Sequence, residues 1–391
     1  MAFVSLNQKE LQNKLNICNQ VSPKRSDIDI FTYLKVEIRD KNIYFSAINP
    51  SLFFTTSTTT NSLDFVDGDI IFLIKTDIFA STVGLVIDEN VGLDINLEKN
   101  ILLVQGSKSK HTLRIDTQNL ADFKLPIENK ENLDATVRIL TSELLDANKA
   151  ALVSVGQPKN VYQPEFLSVC YTLRPTNSTF VVVSTDRYRI TKNVMVANYT
   201  NLSEKVQDDN VNYLISPKNL QLLSICTAGE ESIELNFEKD FLWIKSSTTT
   251  LILRYSDGKY PDYEKIIPQS FTCTFLVNTK EILNSLRQVH LFAKTNTTNH
   301  SITLKVDPAG KKIVFTAQTQ DGYASESSTD IEQYEGVQEE WTQSFNADYL
   351  IDYINNVQAN NILWESNPGK PSVLSPENGK EKQVYLVSGL K

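Results

Sequence analysis

Short segments in which apolar and polar residues alternate recur along this chain, and six of them run directly into a segment with helical spacing. Three share one pattern, in which a β-branched or aromatic run is followed by a polar residue and then by a helix. Apolar residues three and four positions apart mark one face of each helix. These strand–helix segments begin at Phe3, Thr136 and Cys273.

The polar residue between strand and helix is of a type that caps a helix N-terminus. Asn7 and Asn278 are each followed three residues later by a glutamate, as in a capping box. A second series of strand–helix segments begins at Ile70, Asn212 and Thr342. The caps expected for the six helices are Asn7, Thr76, Thr141, Ser216, Asn278 and Asn346.

Both series recur with a period of about 135 residues, which indicates three domains, each built twice from one half. A chance repeat from biased composition is the alternative, and it is disfavoured because caps and strands recur together. Each helix has one apolar face to set against the alternating strands. We predict an α+β fold of three similar domains, with sheets outside and two helices packed on one side of each. The expected domains are 1–128, 129–269 and 270–391.

Composition excludes several classes of protein. The chain has 391 residues, of which 41% are hydrophobic and 22% charged, so we expect a globular protein and not a disordered or fibrous one. No apolar run reaches the roughly 18 residues that a membrane span needs. The first residues, MAFVSLNQKELQ, lack the basic leader and apolar core of a secretion signal. A cytoplasmic location is therefore expected.

Cysteines and histidines suggest neither disulfides nor a metal site. Cys18, Cys170, Cys226 and Cys273 lie far apart among apolar residues, which is typical of buried, reduced thiols. The three histidines (His111, His290 and His300) are also scattered, so no zinc site is expected. The chain has no GxSxG, P-loop, HExxH or GxGxxG motif, so neither a catalytic residue nor a cofactor is expected.

Five segments resemble motifs of one family, the β subunit of bacterial DNA polymerase III, or sliding clamp. The most specific is DGKYPDYEKIIP at 257–268, which resembles the family's D-G-[KR]-[FY]-P-D-Y-x-x-[VI]-[IL]-P. Segments 185–190, 121–125, 345–350 and 385–391 resemble T-D-G-H-R-L, A-D-F-P, F-N-x-x-Y-L and a tail of the Y-V-V-M-P-M-R type. The motifs follow the family order and span the whole chain.

The resemblance implies a non-catalytic processivity factor. The family forms a head-to-tail homodimer that closes into a ring of six similar domains, through which duplex DNA passes without its sequence being recognised. Three repeating domains in two copies give that pseudo-sixfold symmetry, and a heterologous contact can close into a ring. The implied partners are double-stranded DNA, the polymerase α subunit, other proteins with a clamp-binding motif, and a clamp loader that supplies ATP chemistry.

DNA contact is expected from lysine and arginine side chains that face phosphates. The chain has a net charge of −9, whereas its helical segments carry equal numbers of basic and acidic residues, so the bias toward basic helices is modest. The family places DNA contacts in the loops after the first helices. Solvated surface lysines are the alternative for each candidate, and the candidates are Lys24, Arg25, Lys149, Lys159, Lys218 and Arg287.

The family also has a cleft between its second and third domains, which binds a short peptide with a glutamine and two hydrophobic anchors. Arg187 replaces the family's glycine, Tyr188 its histidine, and Ser388-Gly389 a Met-Pro pair, so the preferred peptide is open. An ordinary core role for Pro261, Ile266 and Ile190 is the alternative. Carried over by motif, the cleft residues are Phe166, Thr185, Tyr188, Arg189, Ile190, Pro261, Ile266, Leu386 and Ser388.

The family pairs an edge strand of the first domain with one of the third across the protomer contact. Here this implies the strand around 108–115, with His111 and Leu113 facing Leu291 and Phe292. Packing of Leu291 and Phe292 within their own domain is the alternative. His111 stands where a hydrophobic residue is usual, so mild acid could charge it and loosen the ring.

Three other functions stay open at this stage. A clamp-like scaffold for repair or mobile-element proteins would keep the ring and change its clients. A structural β-repeat surface protein is suggested by the Thr- and Asn-rich strands, but the lack of an export signal and the reduced cysteines count against it. A hydrolase with scattered carboxylates has no paired-acid motif to support it.

Overall fold

The computed structural model describes residues 2–64, 68–159, 161–207, 210–227, 229–295 and 299–390. Seven α-helices and 27 strands are assigned within these ranges. The helices are α1 (Gln8–Val21), α2 (Thr76–Gly84), α3 (Thr141–Leu152), α4 (Glu204–Gln207), α5 (Pro217–Cys226), α6 (Thr279–Ala293) and α7 (Ala347–Asn356).

The strands are short, and every pairing described between them is antiparallel. They are β1 (Ala2–Asn7), β2 (Tyr33–Arg39), β3 (Asn42–Asn49), β4 (Leu52–Thr59), β5 (Ser62–Asp64), β6 (Ile70–Lys75), β7 (Asn90–Asn96), β8 (Ile101–Gln105), β9 (Lys110–Arg114), β10 (Ala135–Leu140), β11 (Val169–Arg174), β12 (Thr179–Thr185), β13 (Arg189–Val196), β14 (Asn198–Thr200), β15 (Val211–Ile215), β16 (Ser232–Phe237), β17 (Phe241–Lys245), β18 (Thr249–Arg254), β19 (Cys273–Asn278), β20 (Ser301–Asp307), β21 (Lys312–Gln318), β22 (Ala324–Asp330), β23 (Gln333–Gly336), β24 (Trp341–Asn346), β25 (Asn361–Ser366), β26 (Ser372–Pro376) and β27 (Gln383–Val387).

All six predicted strand–helix units are present. The strands β1, β10 and β19 lead into α1, α3 and α6, and the strands β6, β15 and β24 lead into α2, α5 and α7. Asn7, Asn278 and Asn346 cap their helices as predicted, because each side-chain oxygen accepts a backbone N–H of the first turn. The prediction is wrong for Thr141, which is the first residue of α3, and for Thr76, which is the first residue of α2. The hydroxyl of Thr76 donates to the carbonyl oxygen of Thr32 instead.

The chain divides into two compact units. The first comprises residues 1–141, 199–205 and 218–255. It contains a five-stranded sheet in the order β5-β1-β7-β8-β9 and a nine-stranded sheet in the order β14-β10-β16-β17-β18-β4-β3-β2-β6. Strands from the predicted first and second domains share the larger sheet through the pairing of β18 with β4. The division into three domains therefore stays a prediction.

The second unit comprises residues 142–198, 206–217 and 256–391. Its nine-stranded sheet has the order β15-β11-β12-β13-β27-β26-β25-β19-β23, and its four-stranded sheet has the order β22-β21-β20-β24. The segment 361–380 contributes β25 and β26 to the larger sheet. The pairing of β13 with β27 places the C-terminal strand next to the segment that resembles T-D-G-H-R-L.

The core of the second unit is aromatic and lies between its sheets and the helices α6 and α7. The rings of Phe275 and Phe345 lie 5.6 and 5.7 Å from that of Trp364, which is fully buried. Leu286 and Leu350 bring the apolar faces of α6 and α7 to this core. Full burial of such a side chain contributes roughly 1.5–3 kcal/mol, so the predicted amphipathic faces fix how these helices pack.

The four cysteines are free and buried, as predicted. Burial raises the pKa of Cys170 to about 12, against weaker opposing hydrogen bonds. It raises the pKa of Cys226 to about 12 as well. These thiols therefore act as small apolar side chains and not as nucleophiles or ligands.

Candidate functional site

The turn between β12 and β13 forms the centre of the predicted cleft. Thr185 and Ile190 pair across the two strands, and residues 186–188 join them. The carboxylate of Asp186 accepts the backbone N–H groups of Tyr188 and Arg189 at 3.0 and 3.1 Å, which fixes the turn. Arg187 has a φ of +81°, in the left-handed region that favours glycine. The family's glycine at this position is explained by that conformation.

The C-terminal strand β27 lies beside this turn. Ile190 pairs with Leu386, and the backbone N–H of Ser388 donates to the carbonyl of Tyr188 at 2.9 Å. Ile190 and Leu386 are almost fully buried and belong to one apolar cluster, whereas Ser388 is half-buried. The side chains of Ile190 and Leu386 therefore lie in the core, which matches the alternative given for Ile190, whereas Ser388 lies nearer the surface.

Arg189 joins strand β13 to helix α7. Its guanidinium donates to Asp186 and to Asp352 at 2.9 Å each, and it lies 4.3 Å from the ring centre of Tyr349. Tyr188 is 54% exposed and stacks on Tyr349 with the ring centres 6.5 Å apart. Sequence reasoning missed Tyr349 and Asp352, because nothing in a single sequence indicates that this helix face meets β13.

The segment 257–268 is fixed to the same sheet. Tyr260 and Tyr263 are buried in the cluster that contains Ile190 and Leu386. Pro261 is half-buried and Ile266 is 52% exposed, so both reach the surface of the segment. Phe166 is half-buried and lies 5.8 Å below the guanidinium of Arg187. All nine predicted cleft residues thus lie in the second unit.

Two partly exposed ion pairs secure the segment that carries Ile266. Glu264 accepts from Arg174 and from Lys192 at 2.8 Å each. Burial of the carboxyl works against its ionisation, but hydrogen bonds from Lys192 and Arg174 outweigh this and lower the pKa of Glu264. The carboxylate therefore stays charged at neutral pH.

The six predicted DNA contacts are all exposed. Lys24 and Arg25 lie in the loop after α1, and Lys218 lies in the first turn of α5. These three belong to the first unit. In the second unit, Lys149 lies on α3, Arg287 lies on α6 and Lys159 follows α3. Arg287 also donates to the side chain of Asn355 at 2.7 Å.

The predicted interface residues lie on two elements. His111 and Leu113 are half-buried on β9, which is an edge strand among the described residues. Leu291 is 69% exposed near the end of α6, whereas Phe292 packs partly against the aromatic core. Intradomain packing therefore applies to Phe292, and Leu291 is open for contact.

Within the described ranges, no helix combines the length and the apolar character needed to cross a bilayer.

Residues 264–387 match the model of the family described as DNA polymerase III beta subunit, C-terminal domain. The whole chain is 23% identical to the beta sliding clamp of Lactococcus lactis over 400 residues, with both proteins covered completely. It is 20% identical to that of Helicobacter pylori strain J99, with 98% of this chain and 96% of the relative covered.

Solved structures also match this chain in fold over its whole length. The DNA polymerase sliding clamp from Bacillus subtilis matches with a TM-score of 0.86 and 19% identity, covering 100% of this chain and 99% of the other. The DNA polymerase III beta subunit from Thermotoga maritima matches with a TM-score of 0.83 and 17% identity, with both chains covered completely. The fold is that of a DNA sliding clamp.

The resemblance to the β subunit of bacterial DNA polymerase III is therefore confirmed. The predicted α+β class is confirmed with it.

Proposed function

We propose that this chain forms a homodimeric ring that encircles duplex DNA and tethers a replicative polymerase to it. The observation that supports this most is the match to sliding clamps over the whole chain in both sequence and fold. Enclosure would hold the DNA, so the protein needs no catalytic group and no base contact. The three domains proposed for each protomer are 1–128, 129–269 and 270–391.

The exposed basic residues would contact phosphates through water and leave the ring free to move. Lys24, Arg25 and Lys218 in the first unit and Lys149, Lys159 and Arg287 in the second are the candidates. Each phosphate that a lysine or arginine neutralises releases a counterion, so such contacts weaken as salt rises. We expect weak and salt-sensitive binding to open DNA ends.

Ring closure would join β9 of one protomer to β22 of the other. Both are edge strands among the described residues, and such edges offer free backbone groups for pairing. Lys110 and Arg114 lie on the exposed face of β9, and Glu326 and Asp330 lie on the exposed face of β22. These opposite charges favour pairing of β9 with β22 over pairing of either strand with itself.

The cleft around Tyr188 and Ile266 would bind the short peptides by which polymerases and other clients attach. An exposed isoleucine and an exposed tyrosine beside a buried apolar wall provide suitable contacts for hydrophobic anchors. The DNA polymerase III α subunit and the clamp loader are the proposed principal clients. A cytoplasmic location is proposed with this function.

Replacing Ile266 by alanine tests the cleft. A labelled peptide with a glutamine and two hydrophobic anchors should bind the variant about tenfold more weakly, which corresponds to ~1.4 kcal/mol. Fluorescence anisotropy measures this affinity. Ile87→Ala serves as the control, because Ile87 is 96% exposed and lies in the other unit. Equal affinities of the Ile266→Ala and Ile87→Ala proteins would remove Ile266 from the cleft.

DNA topology tests the ring. The protein, placed on nicked circular DNA by its loader and ATP, should stay bound through gel filtration at high salt and be lost after the circle is cut. Its mass in solution should be twice 44.2 kDa. Equal retention on circular and linear DNA would show adhesion in place of enclosure and refute the proposal.

A clamp-like scaffold for repair or mobile-element proteins is the second candidate. The departures at Arg187, Tyr188 and Ser388 favour it, because all three lie where a client peptide would bind. Capture with peptides from polymerase and from repair proteins separates the two functions, since a scaffold would prefer the repair peptides.

A further inference from the structure

Two of the three histidines, His290 and His300, meet at a single carboxylate that lies 58 and 48 positions further along the chain. The pairing of β20 with β24 places Ser301 opposite Asn346, so the residue before β20 lies next to the start of α7. The backbone N–H of Ala347 donates to the carbonyl of His300 at 3.0 Å, which fixes this neighbourhood. His290 reaches the same point from the last turn of α6. The expectation that the histidines are scattered is wrong for this pair.

Asp348 lies between the two imidazole rings. Its Oδ1 is 2.6 Å from Nε2 of His290, and its Oδ2 is 2.5 Å from Nδ1 of His300. The two rings are 6.1 Å apart and tilted by 66°. One nitrogen from each ring and a carboxylate oxygen all lie within 4.8 Å of one another. Donor atoms from α6, from the residue before β20 and from α7 therefore converge on one small volume.

We propose that His290, His300 and Asp348 form a binding site for a divalent transition-metal ion of the zinc type. Two imidazole nitrogens and one carboxylate are ligands that favour zinc over magnesium or calcium. Bonds to zinc of about 2.0–2.2 Å place the ligand atoms of a tetrahedral site roughly 3.3 Å apart. The side chains need only small rotations to reach that spacing from the distances found here.

The surroundings suit a bound ion that keeps an open position. The side chain of His290 is 14% exposed, and those of His300 and Asp348 are each 37% exposed, so water can supply the fourth ligand. The partial negative charge at the C-terminal end of α6 favours a nearby cation, whereas the partial positive charge at the N-terminal turn of α7 disfavours one. The charge of Asp348 offsets the second effect, and the Asn346 cap holds the Asp348 backbone in place at 2.9 Å. All three ligands belong to one chain, so binding does not depend on ring formation.

Metal uptake by the full-length protein tests this site. After removal of metal with a chelator, titration with Co²⁺ followed by visible absorption, and with Zn²⁺ followed by calorimetry, should show one ion per chain. The affinity should lie in the micromolar range, and Zn²⁺ should raise the melting temperature. His300→Gln and His290→Gln should each weaken binding by at least roughly tenfold.

The third histidine provides the matched control. His111→Gln removes a histidine of the other unit and should leave Co²⁺ and Zn²⁺ binding unchanged. Circular dichroism checks that every variant is folded. If His290→Gln does not fold, the comparison of His300→Gln with His111→Gln alone tests the site. Absence of saturable uptake, or equal losses in His300→Gln and His111→Gln, would overturn the site. Retention of the protein on circular DNA is a separate measurement, so failure of the metal proposal leaves the ring proposal untouched.

Discussion

Arg187 holds a left-handed backbone conformation that a side chain with a Cβ adopts at a cost of about 1–2 kcal/mol. The turn requires this conformation, because the Asp186 carboxylate accepts the backbone N–H groups of Tyr188 and Arg189. The side chain offsets part of this cost by lying over the ring of Phe166. Arg187 therefore keeps a strained backbone, and its side chain makes a contact with Phe166 in the proposed cleft.

Substitutions at Arg187 should separate these two effects. Arg187→Gly and Arg187→Ala both remove the contact with Phe166, but only glycine relieves the strain. We expect the glycine variant to be more stable than the alanine variant by about 1 kcal/mol, measured by urea unfolding. Lys149 is an exposed residue of α3. There the alanine variant Lys149→Ala should be more stable than Lys149→Gly, since glycine disfavours helices. The same order at both positions would contradict this explanation.

Glu264 should make stability depend on acid. Its pKa is lowered in the folded protein, so its contribution is complete above the unfolded value of 4.5 and is lost as the pH falls through the lower folded value. Glu264→Gln should cost about 1 kcal/mol at neutral pH, a modest value because the carboxylate is partly exposed. Urea midpoints of the two proteins should then converge as the pH falls below about 4.5.

The exposed residue Glu339 provides a control in the same unit. Glu339→Gln should leave the urea midpoint almost unchanged at neutral pH, since surface substitutions away from special contacts have small effects. A gap between wild type and Glu264→Gln that is constant with pH would show that the loss comes from packing and not from charge.

Residue-level predictions succeeded where the cause is local. Asparagine before a helix caps it through its own backbone neighbours, and three such caps are confirmed. Thr76 failed because its hydroxyl has a competing acceptor, the carbonyl of Thr32, 44 positions away in sequence. Likewise, no local pattern shows that Arg189 meets Asp352 or that His290 meets His300.

At the scale of elements, hydrophobic period and the polar capping residues together located all six strand–helix units. The capping box at α1 is only half formed, however. Asn7 accepts the backbone N–H of Glu10 at 3.0 Å, whereas the Glu10 carboxylate accepts from the hydroxyl of Thr58 on β4. The same glutamate thus ties the helix to a sheet in place of completing its cap.

Removing the Asn7 cap should destabilise the protein by about 1 kcal/mol. The change Asn7→Ala leaves a first-turn N–H without its acceptor, and thermal or urea unfolding measures the effect. Asn13 lies exposed on the same helix, so Asn13→Ala should be neutral or slightly stabilising through helix propensity. Equal losses in Asn7→Ala and Asn13→Ala would show that the cap contributes nothing specific.

Sheet order was beyond sequence reasoning. The alternating pattern predicts strands, but it is the same for a strand that pairs within its repeat and for one that pairs outside it. The pairings of β18 with β4 and of β13 with β27 join segments about 200 residues apart, and both nine-stranded sheets depend on them. The proposed cleft therefore depends on the pairing of β13 with β27, which only the structure provides.

At the scale of the whole molecule, charge reversal tests the proposed protomer contact. Lys110→Glu with Arg114→Glu should weaken the dimer, because β22 carries Glu326 and Asp330 on its exposed face. Adding Glu326→Lys and Asp330→Lys to the same chain should restore it. Analytical ultracentrifugation over a dilution series measures the dissociation constant.

The control pair is Lys41→Glu with Lys239→Glu, which changes the net charge equally at exposed positions of the same unit. This pair should leave the dimer intact. Equal weakening in both pairs would point to overall repulsion, and failure of the compensating changes would exclude the pairing of β9 with β22.

The four inaccessible thiols make the protein convenient for optical work on single particles. Each cysteine is buried, so maleimide dyes should not react with the native protein. A single cysteine introduced at an exposed lysine such as Lys239 would then accept one fluorophore without removal of any natural sulfhydryl. Diffusion along stretched DNA could thus be filmed with an otherwise unaltered chain.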